Sequence, residues 1–327
     1  MKPTHARQAI EACMNAKQSV FVWGQPGIGK SAVIKNIATE RGIGFIDLRL
    51  SQLDTVDLRG FPMMKNDRME FAIPGFLPTD MDSEGIIVLE ELNSARPDMQ
   101  ATAYQFIHDR QIGAYKLPPK WSLIAAGNRD KDNGVTYSMG APLSSRFVHV
   151  DFEVDFDDWR QWAVANGIAP EITNFISFRP ALLNQFDPLK RSFPTPRTWE
   201  FVSKLLGSNV QDRLVESHLI DGSVGPEACA EFRAFLKIYR DLPNPDMVLM
   251  NPSKAPVPDD LATLYALCGA LAARTTESNF GRLIEYCARL RGEFQVLTIK
   301  DACMRNKELA HTAEFADWTV KNFNLLS

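Results

Sequence analysis

Cysteine is scarce. Cys13, Cys229, Cys268, Cys287 and Cys303 are five in a chain of 327, odd in number, far apart and without a C-x-x-C pair. That spacing argues against both a disulfide framework and a zinc site, and it fits a reducing compartment. Long apolar runs are missing too: nothing approaches the ~18 residues of a membrane span. The opening Met1-Lys2-Pro3-Thr4-His5-Ala6-Arg7 lacks the apolar core of a signal peptide, so a cytoplasmic location is expected. Nor is there a surplus of positive charge. Lys and Arg number 36 against 40 Asp and Glu, a net charge of −4. This argues against a chain whose main work is coating nucleic acid, while leaving room for a local basic patch. Internal repeats and low-complexity tracts are likewise absent.

What remains is ordinary globular material, 45% hydrophobic and 23% charged, enough to bury a large core and long enough for about two domains. One stretch stands out. Gly24-Gln25-Pro26-Gly27-Ile28-Gly29-Lys30-Ser31 fits G-x-x-x-x-G-K-[ST], the phosphate-binding P-loop. Its context agrees: Val20-Phe21-Val22-Trp23 reads as a buried strand, and Ala32–Ala38 as a helix with Val33, Ile34 and Ile37 on one face. The glycines let backbone N–H groups wrap phosphate oxygens, and the helix turns its positive end to the same anion. Lys30 is expected at the loop surface, facing solvent, to reach the β- and γ-phosphates of ATP; Ser31 would hold Mg²⁺ through its hydroxyl.

The elements alternate after the P-loop. A helix near 4–17 precedes it. Strands are expected at 44–50, 85–91, 121–128 and 146–152, a short helix at 54–58, a helix at 96–110, and hairpins at 61–73 (with a polar tip at Lys65–Arg68) and 111–120. Alternating strands and helices predict a parallel, three-layer α/β core over residues 1–153. From 154 to 327 helices dominate, at 157–166, 171–178, 198–206, 226–239, 260–273, 280–291 and 299–323. The proline-rich stretch Leu242–Pro258 reads as a long ordered loop.

Chemistry gathers at strand ends. The apolar run Gly85-Ile86-Ile87-Val88-Leu89 ends in Glu90 and Glu91. Metal and attacking water sit at the carboxyl ends of parallel strands. Glu91 would polarise the water and Glu90 would accept from the waters around Mg²⁺, although a Glu in place of the usual Asp pushes that carboxylate outward. Asn128 closes the next buried strand, where its amide can accept from water and donate to a γ-phosphate; the alternative is a strand-end turn. Arg146 precedes the last strand, either solvated or, in a ring, acting on the neighbouring subunit's phosphate as an arginine finger. Arg197, after Pro194-Thr195-Pro196, begins a helix. It is placed to reach the γ-phosphate from a helical lid; otherwise it packs on Trp199.

These motifs, in this order, resemble AAA+ ATPases: the P-loop, Leu89-Glu90-Glu91-Leu92-Asn93, Gly127-Asn128, Leu143-Ser144-Ser145-Arg146-Phe147 and Thr195-Pro196-Arg197. The finer pattern resembles the MoxR branch with its CbbQ/NorQ-like members. It includes Asp57-Leu58-Arg59-Gly60 before a hairpin, Glu91-Leu92-Asn93-Ser94-Ala95 and Asp109-Arg110-Gln111-Ile112-Gly113. The two hairpins are similar to that branch's helix-2 and pre-sensor-1 inserts. The likeness spans about 12–206. It implies a P-loop AAA+ core with an all-helical lid, ATP and Mg²⁺ as ligands, and a homo-oligomer, a hexameric ring. It also implies remodelling or activation of a protein client, including metal-cofactor insertion, with a von Willebrand A-domain protein as one such client.

Two other functions stay open. DNA-acting motors share both inserts and generally carry Lys or Arg at the hairpin tips. Here Lys65, Arg68 and Lys116 are offset by Asp67 and Glu70, which disfavours nucleic acid. A nucleotide-gated scaffold with little turnover would fit the Glu90 departure, but not an intact set of Glu91, Asn128, Arg146 and Arg197.

Overall fold

The structure, a computed structural model, describes residues 1–129, 132, 137, 139–208 and 210–326. The chain divides into two compact units, Met1–Asp155 and Phe156–Ser327.

The first unit runs α1 (Pro3–Asn15), β1 (Val20–Trp23), α2 (Lys30–Arg41), β2 (Gly44–Arg49), α3 (Thr55–Arg59), β3 (Pro62–Lys65), β4 (Arg68–Phe71), β5 (Glu84–Glu90), α4 (Pro97–Asp109), β6 (Gln111–Ile112), β7 (Tyr115–Lys116), β8 (Lys120–Gly127), α5 (Ala141–Ser144) and β9 (Val148–Asp151). Five strands form one parallel sheet in the order β2-β5-β8-β1-β9, the α/β class expected. The pleat sends alternate residues to opposite faces, and both faces are covered. Val20, Val22, Ile86, Val88, Ile124 and Ala126 pack with Ile10 of α1 and Ile34 and Ile37 of α2. Phe21, Ile87, Leu89, Leu123 and Ala125 pack with Met99, Ala103 and Phe106 of α4. A sheet buried on both sides reads as continuous apolar runs rather than as alternation, which is how β5 and β8 announced themselves.

The expected hairpin at 61–73 is β3 and β4, with Lys65 opposite Arg68. Asn66 and Asp67 carry φ of 52° and 56°, the left-handed pair of a two-residue turn whose twist matches the strands. Every residue of both strands is exposed. The second hairpin is shorter than the expected 111–120: β6 and β7 pair only Gln111 with Lys116 and Ile112 with Tyr115. Pro118 and Pro119 follow, and proline has no N–H to extend a ladder. The last strand also begins later than the expected 146: Arg146 and Phe147 lie in the turn after α5, their N–H groups bonded back to Leu143 and Ser144.

The second unit is helical: α6 (Phe156–Ala165), α7 (Pro170–Phe178), α8 (Pro196–Gly207), α9 (Arg213–Val224), α10 (Pro226–Arg240), α11 (Pro245–Met250), α12 (Leu261–Arg274), α13 (Phe280–Cys287), α14 (Gly292–Arg305), α15 (Ala313–Lys321) and α16 (Phe323–Leu326). Four expectations change. α9 was not foreseen: it buries only Ile220 and Val224, so its apolar stripe is thin, and Asp212 starts it by accepting from the Leu214 and Val215 N–H groups. The proline-rich stretch contains α11, capped by Asn244 with Pro245 in the first turn. The expected helix at 280–291 stops at Cys287. The expected helix at 299–323 is interrupted. α14 starts at Gly292 and ends at Arg305, and two caps, Asn306 on the Glu308 N–H and Thr312 on the Phe315 N–H, begin new segments. Among the described residues no helix is long and apolar enough to cross a membrane.

Candidate active site

β1 delivers the chain to Gly24, and α2 starts six residues on with Lys30. The turn between is made by backbone that only glycine accepts comfortably. Gly27 has φ 79° and Gly29 φ 101°, and such left-handed residues let successive N–H groups converge on one anion. A Cβ at Gly24 would lie 2.8 Å from Ile28 Cδ1 and 2.9 Å from the Phe152 carbonyl oxygen, so the loop admits no bulk at its start. The Gly24 N–H donates to Gly127 O at 3.2 Å, pinning the loop to the end of β8.

Lys30 departs from expectation. It is buried. Its ammonium donates to the carbonyls of Gly24 at 2.7 Å and Gln25 at 2.9 Å and to Asn128 Oδ1 at 3.2 Å. An ammonium beside a loop rich in inward carbonyls finds three acceptors, and these hold it inside rather than facing solvent. Asn128, just beyond β8, is thereby joined to the P-loop lysine, and its backbone carbonyl accepts from Asn93 Nδ2 at 2.7 Å. Asn93 is buried, and its Oδ1 has no hydrogen-bond partner. A Cβ at Gly127 would lie 2.2 Å from that oxygen, so glycine at the end of β8 is what makes room for the amide.

The two acids separate at the end of β5. Glu90, the last strand residue, accepts from the Ser31 hydroxyl at the start of α2. Burial pushes its carboxyl above the ordinary range; the Ser31 hydrogen bond and the Lys30 charge oppose the rise, and the Asp47 and Glu91 carboxylates add to it. Glu91 lies past the strand, exposed, with φ 56°. A left-handed non-glycine residue is uncommon and marks functional sites more often than chance. Its Oε2 accepts from the Ser51 hydroxyl at 2.5 Å.

Arg146 is exposed on the turn between α5 and β9. Its guanidinium donates to the Tyr104 hydroxyl at 3.2 Å and lies 5.7 Å from the centre of that ring. Just along the chain, His149 Nδ1 accepts from Trp23 Nε1 at 2.8 Å, so the segment carrying Arg146 is tied to the last residue of β1. Arg197 belongs to the second unit. It is exposed in the first turn of α8, behind an N-cap in which Thr195 and Thr198 satisfy each other's backbone N–H. Trp199 is wholly buried and packs among Phe175 and Phe232.

The structure thus brings Gly24–Ser31, Glu90 and Asn128 into direct contact around Lys30 and Ser31, with Glu91 next along the chain. Ser51 and Tyr104 were not legible beforehand. Ser51 is a serine in an undistinguished Leu50-Ser51-Gln52, and Tyr104 reads as one more helix residue; each matters only for what the fold sets beside it.

Residues 19–147 match the family model of the AAA domain, dynein-related subfamily. The chain carries an AAA+ ATPase domain. The AAA+ match opens one residue before β1 and closes one residue before β9. It therefore contains the P-loop, Glu90, Glu91, Asn128 and Arg146, and stops short of Arg197. Among solved structures, the chain is similar to a RuvB mutant of Thermotoga maritima at 17% identity, covering 81% of this chain and 78% of that one with a TM-score of 0.40. It is also similar to NtrX of Brucella abortus in complex with ATP, at 14% identity, covering 99% and 68% with a TM-score of 0.43.

Proposed function

We propose that this AAA+ ATPase is a remodeller of the MoxR type, a cytoplasmic ring in which hydrolysis of ATP drives conformational work on a protein client. The observation that carries the choice of client is the hairpin β3–β4. Phe61, Met63, Met64, Met69 and Phe71 are all exposed on it or at its edge. At its tip Lys65 lies 3.6 Å from Glu70, and Asp67 sits beside Arg68. A nucleic-acid motor needs net positive charge there to follow a phosphate backbone. Soft, adaptable methionines flanked by phenylalanines suit protein surfaces. The ring and a von Willebrand A-type client come from the family resemblance. A phosphate-release assay separates the readings: turnover is expected to be the same with and without DNA, and stimulation by DNA would overturn the protein-client reading.

The residues divide the work as follows. Gly24–Gly29 and the first turn of α2 cradle the phosphates, and Lys30 exchanges its carbonyl partners for phosphate oxygens. Ser31 and Glu90 present oxygen donors only, in contact with each other, a set suited to a hard cation. Bound Mg²⁺ would supply charge neutralisation at the transferring phosphoryl group. Glu91 orients and deprotonates the attacking water. Asn128, held by Lys30 and Asn93, faces the γ-phosphate. Arg197 reports the nucleotide to the helical region 154–327, and the core occupies 1–153.

Two expected results follow. Lys30→Ala removes one charged contact to phosphate, worth about 1.5–3 kcal/mol, so ATP affinity should fall roughly 10- to 100-fold, and with the charge that would meet the transferring phosphoryl group gone, turnover should be nearly lost even at saturating ATP. It also leaves the Gly24 and Gln25 carbonyls without that donor, so the P-loop should loosen while the sheet persists. Calorimetric titration with unchanged affinity would contradict the loop's role. Glu90 carries a pH signature. Its raised pKa means that, between the ordinary carboxyl range and the raised value, the folded chain holds a proton which the unfolded chain has lost. Its contribution to stability therefore falls as pH rises through that window and stays low above it. In thermal melts of the nucleotide-free chain, Glu90→Gln should gain on the parent as pH climbs from about 4. A difference independent of pH would contradict the burial of a charge at this position.

A further inference from the structure

The second unit has a polar centre that the nucleotide chemistry does not use. Four helices meet around a small pocket of about 10 Å³, lined by Arg160 of α6, Asn174 and Ser177 of α7, Cys268 and Gly269 of α12, and Asp301 of α14, among others. Arg160, Asn174 and Asp301 are more than nine-tenths buried. Each of the three has a side-chain atom with no hydrogen-bond partner: Arg160 Nε, Asn174 Nδ2 and Asp301 Oδ1. Neighbouring groups are already engaged. Asp301 Oδ2 accepts from Arg305 Nε at 3.3 Å, and Arg305 Nη2 donates to Thr173 Oγ1 at 3.2 Å. Arg160 Nη2 lies 3.2 Å from Asp301 Oδ1 as an ion pair without hydrogen-bond geometry. The Ser177 hydroxyl gives its hydrogen to Thr173 O at 2.7 Å, so toward the pocket it can only accept.

We infer that this pocket is a binding site for one water molecule, which bridges Arg160 Nε, Asn174 Nδ2 and Asp301 Oδ1. Volume and polarity select the occupant. A pocket of about 10 Å³ is at the threshold for a single water. The three buried atoms without a partner are two donors and one acceptor, and the Ser177 oxygen can serve as a second acceptor. Water meets that set by accepting twice and donating twice. Two guanidiniums against one carboxylate leave a surplus of positive charge, which by itself would favour an anion. An anion, however, would sit against the unpaired Asp301 oxygen and leave that acceptor unsatisfied. A metal cation would face two guanidiniums with a single carboxylate, far short of the oxygen shell it requires.

The site also explains residue choices that helix propensity opposes. Gly269 lies in the interior of α12, where glycine is costly. A Cβ there would fall 1.9 Å from Asn174 Oδ1, so the glycine is the space the amide occupies. Asn174, equally out of place within α7, is needed because a short amide can donate into the pocket from that distance. The water is thus the last member of a network joining α6, α7 and α14, over the space that Gly269 of α12 leaves open.

A crystal structure of the full chain, at about 2 Å resolution or better, tests this. The expected result is one density peak within roughly 2.7–3.2 Å of all three open atoms, unchanged after a bromide soak. In Asn174→Leu, which keeps the bulk and removes the donor, that peak should be lost. An anomalous bromide signal in the pocket would overturn the assignment in favour of an anion. An empty pocket in the parent chain, or Arg160 Nε bonded directly to Asp301 Oδ1, would overturn it as well, and neither outcome depends on the variant folding.

Discussion

Arg146→Ala should lower ATP turnover by about 10³-fold or more, the size expected for a finger that meets charge developing on a transferring phosphoryl group, while ATP affinity stays close to that of the parent. Arg146 is exposed, and its contacts are the Tyr104 hydroxyl and ring. Losing an exposed cation–π contact costs on the order of 0.5–1 kcal/mol, too little to unfold an α/β core. A purely structural arginine would thus leave turnover within a small factor. Three orders of magnitude require that the guanidinium touch the reacting phosphate. Steady-state phosphate release, paired with a calorimetric affinity, measures both numbers; turnover within tenfold of the parent would end the finger assignment.

Glu91→Gln is expected to bind ATP normally and to hydrolyse it roughly 10²–10⁴-fold more slowly, the range for loss of a positioned general base. The amide keeps the volume and can still accept from Ser51 through its oxygen, so the left-handed backbone at φ 56° has no new reason to relax. What goes is basicity. Single-turnover hydrolysis at saturating nucleotide isolates the chemical step. Glu90→Gln serves as the comparison: because Glu90 reaches Ser31, its loss should raise the Mg²⁺ required and spare the chemical step. If the two variants exchange phenotypes, the roles of the two acids are reversed.

Much of the candidate site could be read before the fold. The P-loop announces itself because its glycines, lysine and serine answer backbone and charge constraints that allow few substitutes. The Glu90–Glu91 pair is visible because an apolar strand can place acids only at its tip. Strands buried on both faces show as unbroken apolar runs, so β1, β5 and β8 were placed to within a residue or so. What was not legible is long-range or weakly patterned. Lys30 reads as a surface residue because nothing in the sequence says that the Gly24 and Gln25 carbonyls and Asn128 turn toward it. Ser51 and Tyr104 acquire significance only through side chains 40 and 42 positions away. α9 and α11 were missed because their starts are set by single capping side chains, Asp212 and Asn244, and their buried stripes are short.

We propose that one chain's Arg146 serves the P-loop of the next, and mixing two inactive variants is the sharpest experiment on that arrangement. Arg146→Ala keeps a good P-loop and lacks the finger; Lys30→Ala keeps the finger and lacks a working P-loop. A head-to-tail, heterologous contact sets one subunit's finger against its neighbour's site, so some interfaces in a mixed assembly unite the two intact halves. ATP hydrolysis, absent or nearly so in each variant alone, is expected to return in part on co-assembly. No such rescue is expected between Arg197→Ala and Lys30→Ala, because the proposed role of Arg197 is toward its own subunit's nucleotide. Mixed assemblies of the Arg146 and Lys30 variants that form and remain inactive would contradict the trans-acting arginine.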